Sequence, residues 1–171
     1  METTEGGNDG GSDGGGNDGG GNDGGGRPPA SPIEDVLLLD PTDDQPVRLG
    51  TAGQGVTASV FWLGFTPGAG PADGLLVEFG LGPENANPST SPDGFAWTTA
   101  SYAGDGEATG SGGAMTHDLF SAALNSDDLG TYRMALRVRF GLDSPWVYGD
   151  VSGQPDFDVG ELPRLTFTSD R

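Results

Sequence analysis

One stretch near the C-terminus alternates apolar and polar side chains with a period of two. From Tyr132 to Phe140 every second residue is apolar, and arginines stand at three of the positions between. This period places the two sets on opposite faces of a β-strand, because successive strand residues point to opposite sides. The stretch therefore predicts a half-buried strand that carries Arg133, Arg137 and Arg139 on its outer face.

The first 26 residues lack the apolar surface that a folded segment buries. They contain 13 of the 33 glycines and six acidic residues, without one basic residue. Nothing in them offsets an ordering entropy of about 1–2 kcal/mol per residue. Together with a proline-rich spacer, residues 1–32 are predicted to form a disordered, low-complexity tether. Residues 33–171 are then predicted to form one folded domain.

Short alternating segments recur through the predicted domain. Examples are residues 56–62 and 75–81, and residues 95–102 are read as one further strand; glycine- and proline-rich turns separate these segments. No segment keeps apolar residues at helical spacing over three turns. The sequence therefore predicts an all-β fold, an antiparallel β-sandwich of about 7 to 9 strands.

The start of the arginine-bearing strand resembles a known structural motif. Asp128, Gly130 and Tyr132 are similar to the tyrosine corner of immunoglobulin-like and fibronectin-like modules, in which the tyrosine hydroxyl bonds back to the preceding turn. Met134 occupies the position of a cysteine in antibody domains, and the chain has no cysteine. The resemblance implies an immunoglobulin-like sandwich without the disulfide.

Short glycine and aromatic motifs extend this resemblance from residue 56 to residue 168. They are the glycine-proline turn at residues 80–83, the aromatic pair at residues 95–97 and the Trp146-Val147-Tyr148 segment. Their order is similar to that in accessory β-sandwich modules of bacterial exported proteins, including starch-binding modules. The resemblance implies an accessory module more strongly than it implies any particular ligand.

Charge and hydropathy limit the partners. The net charge is −19, and the chain contains no lysine. A surface this acidic repels phosphates, so nucleic acid is not expected as a partner. No apolar run is long enough to predict a transmembrane segment.

Residues 2–32 resemble the segment behind the lipidated cysteine of bacterial surface lipoproteins, which implies an extracellular or surface location. The chain shows no secretion signal, so taken literally it is expected to be cytoplasmic.

The sequence offers little for catalysis or metal binding. His117 is the single histidine and is expected to be exposed. With no cysteine beside it, it cannot complete a transition-metal site, and no serine lies in a nucleophile elbow. No catalytic residue or cofactor is therefore predicted. Asp150, Asp156 and Asp158 are weak calcium candidates, with ordinary turn hydrogen bonds as the alternative.

Aromatic residues give the strongest predicted site. Trp146 and Tyr148 share one face of a short strand, and the neighbours of Trp97 are small. Exposed rings of this kind stack on sugars, whereas Trp62 is expected to fill the core. The predicted ligand-binding residues are Trp97, Trp146, Tyr148 and Arg137.

Two ligand classes remain open at this stage. Polysaccharide is favoured, and a cell-surface protein that pairs with an edge strand is the alternative. The outer arginines have two interpretations as well, either cross-strand pairing with Glu78 or nearby aspartates, or binding of an acidic partner or carboxylated sugar. The sequence leaves the oligomeric state open.

Overall fold

The fold is seen in a computed structural model that describes residues 33–49, 52–107, 116–153 and 156–169. These residues form ten strands, with 3-10 turns at Pro92–Gly94 and Val159–Glu161. The strands are β1 (Asp35–Asp40), β2 (Gln45–Arg48), β3 (Gln54–Phe61), β4 (Leu75–Pro83), β5 (Ala96–Thr99), β6 (Ser101–Glu107), β7 (Thr116–Leu124), β8 (Gly130–Phe140), β9 (Val147–Gly149) and β10 (Arg164–Thr168). The all-β prediction is confirmed, with ten described strands rather than the expected maximum of nine. The predicted tether, residues 1–32, lies outside the described residues.

The strands form two sheets with an immunoglobulin-like order. One sheet has the order β1-β3-β7-β6, and the other has the order β2-β10-β8-β4-β5, with β9 also paired to β8. Neighbours are antiparallel except β2 and β10, which run parallel. If β1, β3, β6 and β7 are lettered A, B, D and E, and β4, β8 and β10 are lettered C, F and G, the order gives the ABED and CFG sheets of an immunoglobulin-like sandwich.

Strand β8 lies at the centre of the six-stranded sheet. It pairs with β4 along one side, and with β10 and β9 along the other. Its alternate residues Met134, Leu136 and Val138 are fully buried. Each such side chain contributes roughly 1.5–3 kcal/mol relative to an exposed one. The period of two in the sequence therefore corresponds to a strand whose inner face supplies the middle of the core.

The predicted strand at residues 95–102 is wrong in one respect. Its residues form two strands in different sheets, because β5 pairs with β4 whereas β6 pairs with β7. Ala100 lies at the crossing, where its N–H donates to the Val77 carbonyl at 2.9 Å. The alternation changes phase just before the crossing, because Thr98 and Thr99 are both exposed and the apolar positions change from odd to even numbers. Reading the segment as one strand overlooked this shift.

The tyrosine-corner motif packs without its expected hydrogen bond. Within the described part of the chain, the Tyr132 hydroxyl has no hydrogen-bond partner, and its ring meets Phe167 edge-on at 5.7 Å. The turn before β8 is closed instead by Ser126, whose Oγ donates to the Asp128 carbonyl and accepts from the Asp128 N–H. Tyr132 therefore acts here as a packing residue.

A buried carboxylate holds the loop between β3 and β4. Asp118 in β7 is fully buried, and its Oδ2 accepts from the Ala72 N–H at 2.7 Å. Its Oδ1 has no partner among the described residues. Burial raises the pKa of Asp118, the bond from Ala72 lowers it, and the charge of the facing Asp105 raises it further. The net effect is a raised pKa, because loss of hydration dominates.

Replacing Asp118 with asparagine should change how stability depends on pH. The folded state raises the pKa of Asp118 above its ordinary value of 3.8. The folded state therefore favours the protonated acid. The stability that this preference contributes is present at pH values below 3.8 and is lost as the pH rises through the folded-state pKa. In urea unfolding from about pH 4 to pH 7, we expect the unfolding free energy of Asp118→Asn to increase relative to that of the wild type as the pH rises.

The control for this experiment is Asp143→Asn. Asp143 is exposed in the turn after β8, and its substitution should leave the pH profile of the wild type unchanged. A difference between wild type and Asp118→Asn that stays constant across the pH range would contradict the raised pKa.

Candidate functional site

The four predicted ligand-binding residues lie together on the outer face of the six-stranded sheet, the face that points away from the other sheet. Trp97 belongs to β5, Arg137 to β8 and Tyr148 to β9, and Trp146 directly precedes β9. Strand register places Tyr148 opposite Arg137 on one side and Glu78 of β4 opposite it on the other. Arg137 is therefore the centre of the group.

Two indoles and two guanidinium groups make a continuous set of contacts. The Arg137 Cζ lies 3.8 Å from the ring centroid of Trp97 and 4.0 Å from that of Trp146. The Arg139 Cζ lies 4.2 Å from the Trp146 centroid. Contacts of this kind each contribute about 0.5–2 kcal/mol, depending on exposure. We call Trp97, Arg137, Trp146 and Arg139 the Trp–Arg ladder.

The charge of the central arginine is neutralised by β4. Arg137 Nε donates to Glu78 Oε2 at 2.8 Å, and its Nη2 lies 2.5 Å from the same oxygen. The side chains are 13% and 21% exposed, so water screens the pair only partly. The cross-strand pairing with Glu78 is confirmed. With rings on its faces and a carboxylate at its edge, Arg137 supports the indoles.

Trp97 is held in a fixed orientation by its neighbours. Its Nε1 donates to the Pro92 carbonyl at 2.9 Å. Its ring stacks on Phe95, with centroids 5.5 Å apart. The ring also covers Gly80 of β4, where a Cβ atom would lie 2.8 Å from two of its carbons. Gly80 is thus the residue that lets the indole lie close to the sheet.

Tyr148 extends the aromatic surface beyond the ladder. Its ring centroid lies 6.4 Å from Trp97 and 5.8 Å from Phe157. Tyr148, Trp146 and Trp97 are all half-buried, so each retains some surface for a ligand. The sequence analysis missed Phe157, which follows Asp156 in an irregular segment. The sequence feature that could have pointed to Phe157 is its position as an aromatic residue between Asp156 and Asp158.

The outer arginines differ in their surroundings, and one expectation about them is wrong. Arg133 is buried rather than solvent-facing. Its Nε donates to the Glu84 carbonyl at 2.7 Å, and its Nη1 donates to the Val159 carbonyl. Loss of hydration lowers the pKa of Arg133, and the charge of Arg164 adds to this effect. The segments that cover this end of β8 are irregular, so the strand pattern did not reveal them.

The expectation for His117 is also wrong. Its side chain is buried, with Nε2 3.6 Å from Asp35 Oδ2 and its ring 5.1 Å from that of Phe61. Strand β7 lies between β3 and β6, so neighbouring strands flank even its outward-facing residues. This position makes His117 a packing residue of the four-stranded sheet.

The calcium candidates are engaged in turn hydrogen bonds. Asp150 Oδ1 accepts from the N–H and hydroxyl of Ser152, and its Oδ2 accepts from the Asp158 N–H at 2.7 Å. Asp158 Oδ1 accepts from the Gly160 N–H, and Asp156 is exposed. Among the described residues, no group of three histidine, cysteine or acidic side chains could hold a metal ion. The hydrogen bonds of Asp150 and Asp158 are the ordinary turn hydrogen bonds that the sequence analysis gave as the alternative to calcium.

Comparisons with known proteins add no family assignment. No protein-family model matches this chain, and no curated protein matches it. No helix in the described ranges is long and apolar enough to cross a membrane. Any function must therefore be argued from the site itself.

Substituting Gly80 should displace the indole of Trp97. A methyl group at Gly80 cannot coexist with ring carbons at 2.8 Å, so Trp97 must leave its position over β4. We expect Gly80→Ala to weaken the near-ultraviolet circular dichroism of the tryptophans and to lower the unfolding free energy by about 1–3 kcal/mol.

A matched glycine variant makes this prediction specific. At Gly55 of β3 an added Cβ meets nothing within 4 Å, so Gly55→Ala should keep the wild-type spectrum. An unchanged spectrum in Gly80→Ala would show that Trp97 does not rest on Gly80.

Proposed function

We propose that this protein is a non-catalytic binding module that holds carbohydrate on the outer face of its six-stranded sheet. The observation that carries the proposal is the convergence of Trp97, Trp146 and Tyr148 on one half-buried face. Sugar rings present flat C–H surfaces, and aromatic rings with a few hydrogen bonds can bind them without catalysing a reaction.

The ladder supports this proposal because it fixes its rings before a ligand arrives. Arg137 is within 4.0 Å of both indole centroids and is itself held by Glu78. Rings that are already immobilised lose little conformational entropy on binding, so more of the contact energy is available for affinity. Guanidinium groups already lie over both indoles, one over Trp97 and two over Trp146. Tyr148 and the parts of the indoles that stay exposed therefore provide the stacking surface.

The carboxylate chemistry at this face favours binding over catalysis. Glycosidases use two carboxyl groups, roughly 5–10 Å apart, one as a proton donor. Glu78, which contacts the ladder, is bound to Arg137 through two nitrogen atoms. This carboxylate is therefore already engaged within the protein, and the ladder contains no carboxyl group of its own.

The location that we propose is extracellular or at the cell surface. The support is the lipoprotein-like composition of residues 2–32 and the similarity to accessory modules of exported proteins. A glycine-rich, acidic segment is suited to hold a binding domain away from its point of attachment.

Removing an aromatic ring from the stacking surface should weaken glycan binding. A panel of soluble polysaccharides is tested by affinity electrophoresis and calorimetry against the full chain. We expect Trp146→Ala to weaken binding by roughly tenfold or more, since a stacked aromatic pair is worth about 0.5–1.5 kcal/mol beyond its buried area. Tyr148→Phe, which deletes only a hydroxyl, should cause a smaller loss.

The control variant is Leu129→Ala. Leu129 is 58% exposed and precedes β8 at the end remote from the ladder, so its loss should not alter glycan affinity. If no polysaccharide in the panel binds the wild type, or if Trp146→Ala binds as the wild type does, the carbohydrate proposal fails.

A second candidate, a protein partner, is favoured by one edge of the same sheet. Strand β5 is paired on one side only within the described part of the chain, and it contains neither charge nor proline. Natural edge strands usually carry such features to prevent pairing. An extended peptide could add to β5, with main-chain hydrogen bonds supplying the affinity.

This candidate has its own test. Random peptides displayed on phage are selected against the wild type and against Thr98→Lys, which places a charge on β5. Enrichment of extended peptides on the wild type alone would support edge pairing. Equal enrichment on both proteins, or none on either, would exclude it.

A further inference from the structure

Arg139 at the end of the ladder carries a charge that no neighbouring acid neutralises. Its guanidinium lies over the Trp146 ring, and its Nη1 donates to the Leu142 carbonyl at 3.1 Å. Its Nε is buried without a hydrogen-bond partner among the described residues, and within the same residues no carboxylate lies within ion-pair distance of the guanidinium. Arg139 is therefore a cation held in place by an indole and a backbone carbonyl.

Two other arginines of the same sheet do have carboxylate partners, whereas Arg133 is buried on backbone carbonyls. Arg137 is paired with Glu78, and Arg164 lies 3.5 Å from an oxygen of Asp44 and 3.5 Å from one of Glu84. The chain has 26 acidic residues and seven basic ones, so an arginine without an acid beside it stands out. Arg139 therefore brings a positive charge without an ion-pair partner among the described residues to the stacking surface.

We propose that Arg139 binds an oxyanion of the ligand, a carboxylate or sulfate carried by an acidic polysaccharide. This inference rests on the proposed carbohydrate function, and it names the class of sugar. A guanidinium stacked on an indole uses its face, which leaves its N–H edge for an acceptor in its plane. Nε is buried, so with Nη1 on the Leu142 carbonyl the Nη2 group is the donor that remains for a ligand oxygen.

Stacking and ion pairing would act on one sugar unit. Trp146 contacts both Arg137 and Arg139, so a ring packed beside it lies next to the free edge of Arg139. The net charge of the protein opposes any polyanion at long range. At about 0.15 M salt the screening length is roughly 8 Å, so short-range contacts decide binding.

The experiment compares polymers that differ only in the anionic group. Polygalacturonate is matched with its fully methyl-esterified form, and dextran sulfate is matched with dextran. Affinity for the full chain is measured by calorimetry at about 0.15 M sodium chloride, where charges further apart than about 8 Å are screened. We expect at least one acidic polymer to bind roughly tenfold or more tightly than its neutral match, since hydrogen bonds to charged groups are the stronger class. The first pair tests a carboxylate and the second tests a sulfate.

Two substitutions connect this preference with Arg139. Arg139→Gln should remove the difference between the acidic and neutral polymers, whereas Arg139→Lys, which keeps the charge and loses the planar fork, should retain part of it. Arg164→Gln is the control, because Arg164 already has two carboxylates beside it. It should bind as the wild type does.

Each outcome is decisive. Equal binding of acidic and neutral polymers by the wild type, or an undiminished preference in Arg139→Gln, would overturn the role of Arg139 and leave the carbohydrate function intact. Binding of no polymer at all would overturn both. If Arg139→Gln does not fold, Arg139→Lys and the wild-type comparison still decide the question.

Discussion

The inner face of β8 is the constraint on which the rest of the molecule depends. Met134, Leu136 and Val138 are fully buried there, and the strand pairs with three others along its length. Because strand side chains alternate, burying this face fixes which residues point outward. A shift in register by one residue would expose the core residues and bury the arginines, so the same interaction sets both the packing and the position of the outer face.

The Trp–Arg ladder is a consequence of that fixed outer face. Arg137 and Arg139 are two residues apart and therefore project on the same side, where Trp97 and Trp146 pack against them. The ladder joins an edge strand, a central strand and the segment before β9 into one surface. Planar groups in such a set are ordered by one another, so the surface is preorganised for a flat ligand.

The sequence predicted the features that depend on local period and missed those that depend on tertiary position. Alternation located β8 and the all-β class. The change of sheet at Ala100 was missed because the segment was read as one strand, although its alternation changes phase between Trp97 and Ala100. His117 was placed in solvent, yet it is buried because β7 lies between two strands. Convergence of the aromatic residues was expected only in part, since Phe157 comes from an irregular segment that no period marks.

The central claim, that the ladder face is where carbohydrate binds, can be tested with the indole N–H signals. The chain has three tryptophans, of which Trp62 is buried and Trp97 and Trp146 belong to the ladder. In nitrogen-15 correlation spectra recorded while polysaccharide is added, the account predicts that the Trp146 signal shifts most and the Trp62 signal stays fixed. Shifts confined to Trp62 or to residues of the four-stranded sheet, with Trp146 unmoved at saturating ligand, would contradict it.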